Sequence, residues 1–336
     1  MVSLLVATTA DPASIGPASA LLALSPTIWA SGPSLVPESV SFVSGRVRLL
    51  QLNGRLVTED HLDKRWEAGT GEQVEEVIFL SRHVAASNRP ALTLHPIGVP
   101  HLQPHETPPA GGRAGWAAPP CPRIGPWLRL LKNVATKQNL VPEFEITLEA
   151  THHGPEVNSP AMFFEIGSTE DYWGRNDAAK VVATVLQEGL GLGGGSGIGQ
   201  WSSANKGEKV LIGLGGGHYA PRHMDVVQKE GVWVGHLLSN YSLPMEEPDV
   251  PIKPNLKGDS DAIYSRIGGS WKEAISEAVM TTRSAFPDGD VVAHIDSKSL
   301  NSWQRNAITW FLAREHIPLG KSGDFIPAAK VLAKVE

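Results

Sequence analysis

The chain has 336 residues, 41% of them hydrophobic and 19% charged, the balance of a folded globular protein and not of a disordered one. A formal net charge of −6 excludes a bulk field that gathers nucleic acid, so any such contact must come from a local basic patch. The lone cysteine, Cys121, excludes an internal disulfide and a cysteine-based zinc site, and it suits a reducing compartment.

Strand candidates run in chain order through Ser3–Ala7, Val47–Leu52, Val77–Leu80, Phe144–Leu148, Met162–Ile166, Val210–Leu214 and Val291–His294. Several are continuously apolar, as strands buried on both faces are. Helical spacing joins Ile124, Leu128, Leu131 and Ala135, then Ala178, Val181, Val182, Val185 and Leu186, then Ala274, Ala278 and Val279, and finally Trp303, Ala307, Trp310 and Phe311. Ser168 with Asp171, and Ser270 with Glu273, have the spacing of capping boxes. The alternation predicts an α/β protein, three-layer α/β/α with a mostly parallel mixed sheet.

One catalytic domain is expected over residues 1–326, with long Pro- and Gly-rich loops near 101–122 and 244–261 and a C-terminal tail over 327–336. No Lys or Arg precedes Arg46, and Pro26 stops the apolar run at Ala20–Leu24. The expected address is therefore the cytoplasm, with possible access to the nucleus, and no membrane association.

Polar residues gather where the strands end. Ser81-Arg82-His83, Glu149 with Thr151-His152-His153, Gly215-Gly216-Gly217-His218 with Arg222 and His223, and His294 with Asp296 each follow a strand candidate. In an open parallel sheet the carboxyl ends share one edge, where ligands bind. Six of the 12 histidines are thereby predicted to converge: His83, His152, His153, His218, His223 and His294. Histidine and carboxylate without cysteine suit zinc or another divalent ion that activates water. The metal-free option is a histidine base oriented by a carboxylate such as Asp296. His152 and His153 would face opposite ways on a strand, so both can point inward only from a loop.

The glycines of Gly213–Gly217 can form an oxyanion hole, whereas His218 stands where a dinucleotide fingerprint needs glycine. Gly320-Lys321-Ser322 lacks the upstream glycine of a phosphate loop, because Glu315 takes its place, and no GxSxG elbow surrounds any serine.

These residues carry a family resemblance. Leu5-Val6-Ala7-Thr8-Thr9-Ala10-Asp11-Pro12-Ala13-Ser14, Phe79-Leu80-Ser81-Arg82-His83 and Ser87-Asn88-Arg89-Pro90-Ala91-Leu92 resemble segments of the archaeal and plant-type D-aminoacyl-tRNA deacylases. So do His95-Pro96-Ile97-Gly98, Leu148-Glu149-Ala150-Thr151-His152-His153-Gly154-Pro155, Glu165-Ile166-Gly167-Ser168-Thr169-Glu170, Gly215-Gly216-Gly217-His218-Tyr219-Ala220-Pro221-Arg222-His223 and Gly235-His236. The matches run from the N-terminus to about the last helix and are closest to the plant members.

The resemblance implies hydrolysis of the ester between a D-amino acid and the terminal ribose of tRNA, broad in side chain and strict for the D configuration. It also implies a zinc requirement, a fold likened to peptidyl-tRNA hydrolase and nucleoside phosphorylase, and a link to ethanol and aldehyde tolerance. The expected partner is the tRNA 3′ acceptor end carrying a D-amino acid, without an obligate protein partner. The expected catalytic set is His83, His152 and His218 with the Gly216 and Gly217 backbone. Substrate would be held by Arg82, Ser87, Asn88, Arg89, Arg222 and Lys298, and metal by Glu149, His152, His153 and His223. The alternatives are a nucleoside phosphorylase or amidohydrolase on the same scaffold, and a non-catalytic tRNA-binding module.

Overall fold

The continuously apolar runs form two sheets in the computed structural model, which describes residues 1–35, 39–247 and 263–325. The strands are β1 (Val2–Thr8), β2 (Ala30–Ser31), β3 (Val40–Ser44), β4 (Val47–Leu52), β5 (Val74–Arg82), β6 (Ala91–His95), β7 (Glu145–Leu148), β8 (Ala161–Gly167), β9 (Lys209–Leu214), β10 (Trp233–Leu238) and β11 (Asp290–Ile295). The helices are α1 (Pro12–Leu24), α2 (Leu62–Thr70), α3 (Ile124–Lys137), α4 (Glu170–Trp173), α5 (Asn176–Leu190), α6 (Pro221–Val227), α7 (Trp271–Ala285) and α8 (Ser302–Arg314).

The larger sheet has the order β2-β3-β4-β1-β5-β8-β6-β7, and the smaller one β10-β9-β11. Mostly parallel and flanked by helices, the arrangement matches the expected α/β class. Helices α1, α3 and α5 pack their apolar faces on one side of the larger sheet. Trp66 of α2, together with Ile97 and Trp116, covers the other side. The smaller sheet lends Leu211, Val234 and Leu237 to the first of these cores and buries its opposite face under α7 and α8.

One assumption about direction fails. β6 pairs antiparallel with β8, and β7 pairs parallel with β6, so the pair β6–β7 runs against β1, β5 and β8. The carboxyl ends of all strands therefore do not share an edge.

Some elements carry no period to read. In α1, small and apolar residues with Pro17 occupy all sides and leave no stripe; a methyl added at Gly16 would meet the Ala179 methyl of α5 in ordinary contact at 3.6 Å. Asp11 starts that helix by accepting from the Ala13 amide at 3.0 Å. Neither expected capping box forms: the Ser168 hydroxyl donates to the Arg89 carbonyl, and that of Ser270 to the His101 carbonyl. The loop at 101–122 carries no helix or named strand, and its Trp116–Ala118 and Cys121 are buried. Most of the 244–261 loop and the 327–336 tail lie outside the described residues.

Beneath the sheet, the buried Glu76 carboxylate accepts from Arg123 Nε at 2.7 and 2.8 Å and from the Ser3 hydroxyl at 2.6 Å. Arg123 also donates to the carbonyls of Gly189 and Ile198, each at 2.7 Å. The guanidinium thus ties β5 to the glycine-rich turn after α5. Removing one partner of such a pair strands the other charge. Glu76→Ala is expected to lower unfolding stability by about 3–5 kcal/mol, read from urea denaturation; a loss below about 1 kcal/mol would place the pair among weak surface bridges.

Candidate active site

The reversed strands build the site on a sheet face. Register places Glu165 of β8 beside Ser81 of β5 and Thr93 of β6, and Phe163 beside Phe79 and His95. Alternation then puts Phe163, Glu165 and His95 on one face. Phe163 is the floor: the His95 ring stacks on it at 5.2 Å and the His153 ring meets it edge-on at 4.7 Å. His83 follows β5 directly, its amide donating to the Ile166 carbonyl at 3.0 Å. His152 and His153 escape the strand alternation because His153 has φ +39°, so the chain turns and both rings fall on one side, 4.3 Å apart.

Hydrogen bonds fix the tautomers of three of these rings. Nδ1 of His95 lies 3.0 Å from the Pro96 carbonyl, that of His152 2.8 Å from the Ala150 carbonyl, and that of His153 2.7 Å from the Gly154 carbonyl. A carbonyl only accepts, so each Nδ1 carries a proton. The neutral form of each ring therefore offers a bare Nε2 lone pair. Ligand atoms of the three residues lie within 4.8 Å of one another, and His95 Nε2 is buried without a hydrogen-bond partner. Ring nitrogens gathered in this way, each residue backed by a carbonyl, could hold a metal ion. Burial pushes the His153 pKa down to about 4 and that of His152 well below the usual range, so both are neutral donors. Burial also disfavours charge on His95, but the Glu165 carboxylate outweighs it and raises that pKa. The demand there is for positive charge, which a metal cation meets as a proton does.

Beside this trio, Glu149 joins two more histidines. Its segment is pinned where the Ala150 amide donates to the His218 carbonyl at 2.7 Å. Glu149 Oε2 lies 2.7 Å from His218 Nε2. Oε1 lies 3.0 Å from His83 Nδ1, but off the hydrogen-bonding direction, so this oxygen stays unsatisfied. Each ring's other nitrogen meets a tyrosine hydroxyl: His83 Nε2 with Tyr219 at 2.8 Å, and His218 Nδ1 with Tyr241 at 3.0 Å. Burial opposes charge on Glu149, yet the His218 and His83 contacts hold its pKa well below the carboxylate range. Burial would also lower His83, but Glu149 and Glu165 together push it up to about 11. The two carboxylates thus favour the charged form of His83, which suits a group that offsets their charge better than a general base.

The rings open into a cleft of about 370 Å³ whose walls include His83, His152, His153, His218, Glu165, Asp11, Arg55 and Arg82. Several expected residues stand elsewhere. His223 joins no ligand group; its Nδ1 lies 2.9 Å from His294 Nδ1 and its Nε2 3.2 Å from the Gly215 carbonyl. It sits on α6 packed over Gly213, and His95 holds the place assigned to it. Asp296 orients no histidine in the cleft; it accepts from the Lys298 amide, while Glu149 holds His218. The Gly216 amide cannot serve an oxyanion, being taken by Ser299 Oγ at 2.7 Å and Asn240 Oδ1 at 3.0 Å. Gly217 is exposed and outside the cleft wall. Arg82 lines the cleft; Ser87, Asn88, Arg89, Arg222 and Lys298 are exposed and do not.

His95, Glu165, Tyr219 and Tyr241 were missed as site residues. A histidine at a strand end was the available signal for His95, but Ala91–His95 was not read as a strand. His236 is structural. It is fully buried, and its ring ties Thr151 to Ala118 and Thr281.

Gly167 tests the packing that places His83. A methyl there would come within 2.7 Å of His83 Cδ2 and 2.8 Å of its Cβ. Gly167→Ala is expected to displace the ring and cut kcat/KM by roughly tenfold or more, about the effect of a small misplacement. Wild-type turnover by a folded Gly167→Ala protein would deny that His83 must stay in place.

The D-aminoacyl-tRNA deacylase family model matches residues 70–320. A D-aminoacyl-tRNA deacylase of Arabidopsis thaliana is 58% identical over 325 residues, covering 97% of this chain and 100% of its own. The Archaeoglobus fulgidus protein of the same description is 32% identical over 252 residues, 72% of this chain and 82% of its own. A crystal structure described as a conserved protein of unknown function superposes with a TM-score of 0.72 at 25% identity, with 96% of each chain covered. With the histidine and glutamate cluster inside the matched stretch and its length shared with a plant relative, the chain belongs to the D-aminoacyl-tRNA deacylase family.

Proposed function

We propose that the chain hydrolyses the ester joining a D-amino acid to the terminal ribose of tRNA, releasing the free D-amino acid and the intact tRNA 3′ end. The observation that carries this reading is the cluster of His95, His152 and His153, with ligand atoms within 4.8 Å of one another, beside the Glu149–His218 pair at an open cleft. Ester hydrolysis needs an activated water, a group that takes its proton, and positive charge where the carbonyl oxygen becomes negative.

His95, His152 and His153 would hold the zinc that the family resemblance implies. Bound there, a zinc ion supplies a Lewis acid that activates water and polarises the ester carbonyl. The chain's own part falls to His218. Glu149 holds its Nε2–H edge, so Nδ1 is the basic nitrogen; Tyr241 donates to it at rest and gives way when a proton arrives from water. The imidazolium so formed faces a carboxylate that stabilises it, and it returns the proton to the departing ribose oxygen. His83, whose charged form Glu149 and Glu165 favour, offsets these two buried carboxylates.

Strictness for the D configuration, breadth in side chain and the link to ethanol and aldehyde tolerance are carried here by likeness to the plant members. The same likeness supports action without an obligate protein partner. A cytoplasmic setting suits a chain whose only cysteine is a buried free thiol.

His218→Ala is expected to lower kcat by about 10²–10⁴-fold, the usual worth of a positioned acid–base group, while a value within about twofold of wild type would remove His218 from the chemistry. D-Tyr-tRNA should turn over and L-Tyr-tRNA should not; equal turnover of both would contradict chiral selection. His95→Ala should purify with its zinc lost by elemental analysis, and full retention of zinc would show that the three rings are not the ligands.

A further inference from the structure

A molecule of net charge −6 that takes tRNA must offset phosphate repulsion locally. The cleft, at about 370 Å³, has room for one small ligand and not for a tRNA. Most of the tRNA therefore stays outside it, and the phosphodiester next to the reacting nucleotide crosses its mouth. Two arginines line this cleft, Arg82 and Arg55. Among the described residues neither guanidinium makes an ion pair, although both are exposed.

Topology brackets their positions. Arg82 ends β5, and Arg55 follows β4 by three residues. Both strands pair in parallel with β1, one on each side, so the two arginines leave the sheet in the same direction. Strands flanking a common neighbour lie about 10 Å apart, with the Thr8–Asp11 turn between them. Arg82 Cζ lies 4.8 Å over the Trp173 ring, and the Trp173 indole N–H donates to the His83 carbonyl at 3.0 Å. A guanidinium held over an aromatic face can still offer its N–H edge to phosphate. Arg55 lines the same cleft from the far side of β1, in no ion pair among the described residues.

We infer that Arg55 is a substrate-positioning residue which, with Arg82, clamps the phosphodiester on the 5′ side of the terminal nucleotide. This rests on the deacylase reading of the cleft and adds to it a residue that recognises backbone and not the aminoacyl group.

Steady-state deacylation of two esters by the full chain tests it: D-Tyr-tRNA, and D-Tyr-adenosine, which carries the same ester without phosphate. Losing charge-assisted bonds to one phosphate lowers affinity by roughly 10- to 100-fold. Arg55→Ala is therefore expected to raise KM for D-Tyr-tRNA by that factor and to shrink the kcat/KM preference for tRNA over the adenosine ester at least tenfold. Arg55→Lys, which keeps charge without the fork, should recover part of that preference. The slope of log(kcat/KM) for tRNA against log salt should flatten by about 0.7, the share of one phosphate on a single strand. Equal losses on both esters, or an unchanged preference and salt slope, would overturn the clamp. If Arg55→Ala has no effect while His218→Ala abolishes turnover, the clamp alone fails. If neither variant has an effect, the cleft itself is the wrong site.

Discussion

Three hydrogen bonds from imidazole to backbone determine what this protein can do. By taking the Nδ1 protons of His95, His152 and His153, the carbonyls of Pro96, Ala150 and Gly154 leave three Nε2 atoms as the chemically available edges. Ligand atoms of the three rings lie within 4.8 Å of one another, and the buried His95 Nε2 lacks a hydrogen-bond partner. Leaving a buried polar atom unpaired costs stability, which a proton or a bound cation at that nitrogen would offset. The neighbouring Glu149 carries the complementary constraint, since a fully buried carboxylate must be matched by positive charge or hydrogen bonds, and His218 and His83 lie against it.

The sheet exists in the form that makes this possible. Because β6 and β7 run against β8, His95 and Glu149 enter the site from the direction opposite to His83. The rings consequently meet over the face of the sheet, on Phe163, and not along one edge. The smaller sheet completes the cluster: its glycine turn delivers His218, and main-chain bonds from Ala150 to His218 and from Thr151 to Leu237 hold the two sheets' contributions in register.

Much of this was readable in the residues and some was not. Apolar runs and helical stripes located most strands and the four helices α3, α5, α7 and α8, because burial on both faces or on one stripe leaves a periodic trace. Helix α1 left none, its small and apolar residues occupying all sides. Clustered strand-end histidines did identify His83, His152, His153 and His218, although the shared-edge geometry behind that expectation holds only for part of the sheet. His223 was drawn in by the same pattern and instead packs over Gly213 against His294. His95 was passed over because it sits 57 positions before His152 in a strand that periodicity did not reveal. The glycine turn suggested an oxyanion hole, but glycine there admits a sharp turn at φ +89° and +94°, and the Gly216 amide is consumed within the fold. Which amides are free is a tertiary fact that composition cannot show.

The tautomers are open to direct observation. Long-range ¹H–¹⁵N correlation spectra of zinc-loaded, ¹⁵N-histidine-labelled protein at neutral pH report which ring nitrogen of each histidine carries a proton. His95, His152 and His153 are predicted to show protonated Nδ1 and proton-free Nε2. A proton on Nε2 of any of the three would contradict the convergent donor set on which this account stands.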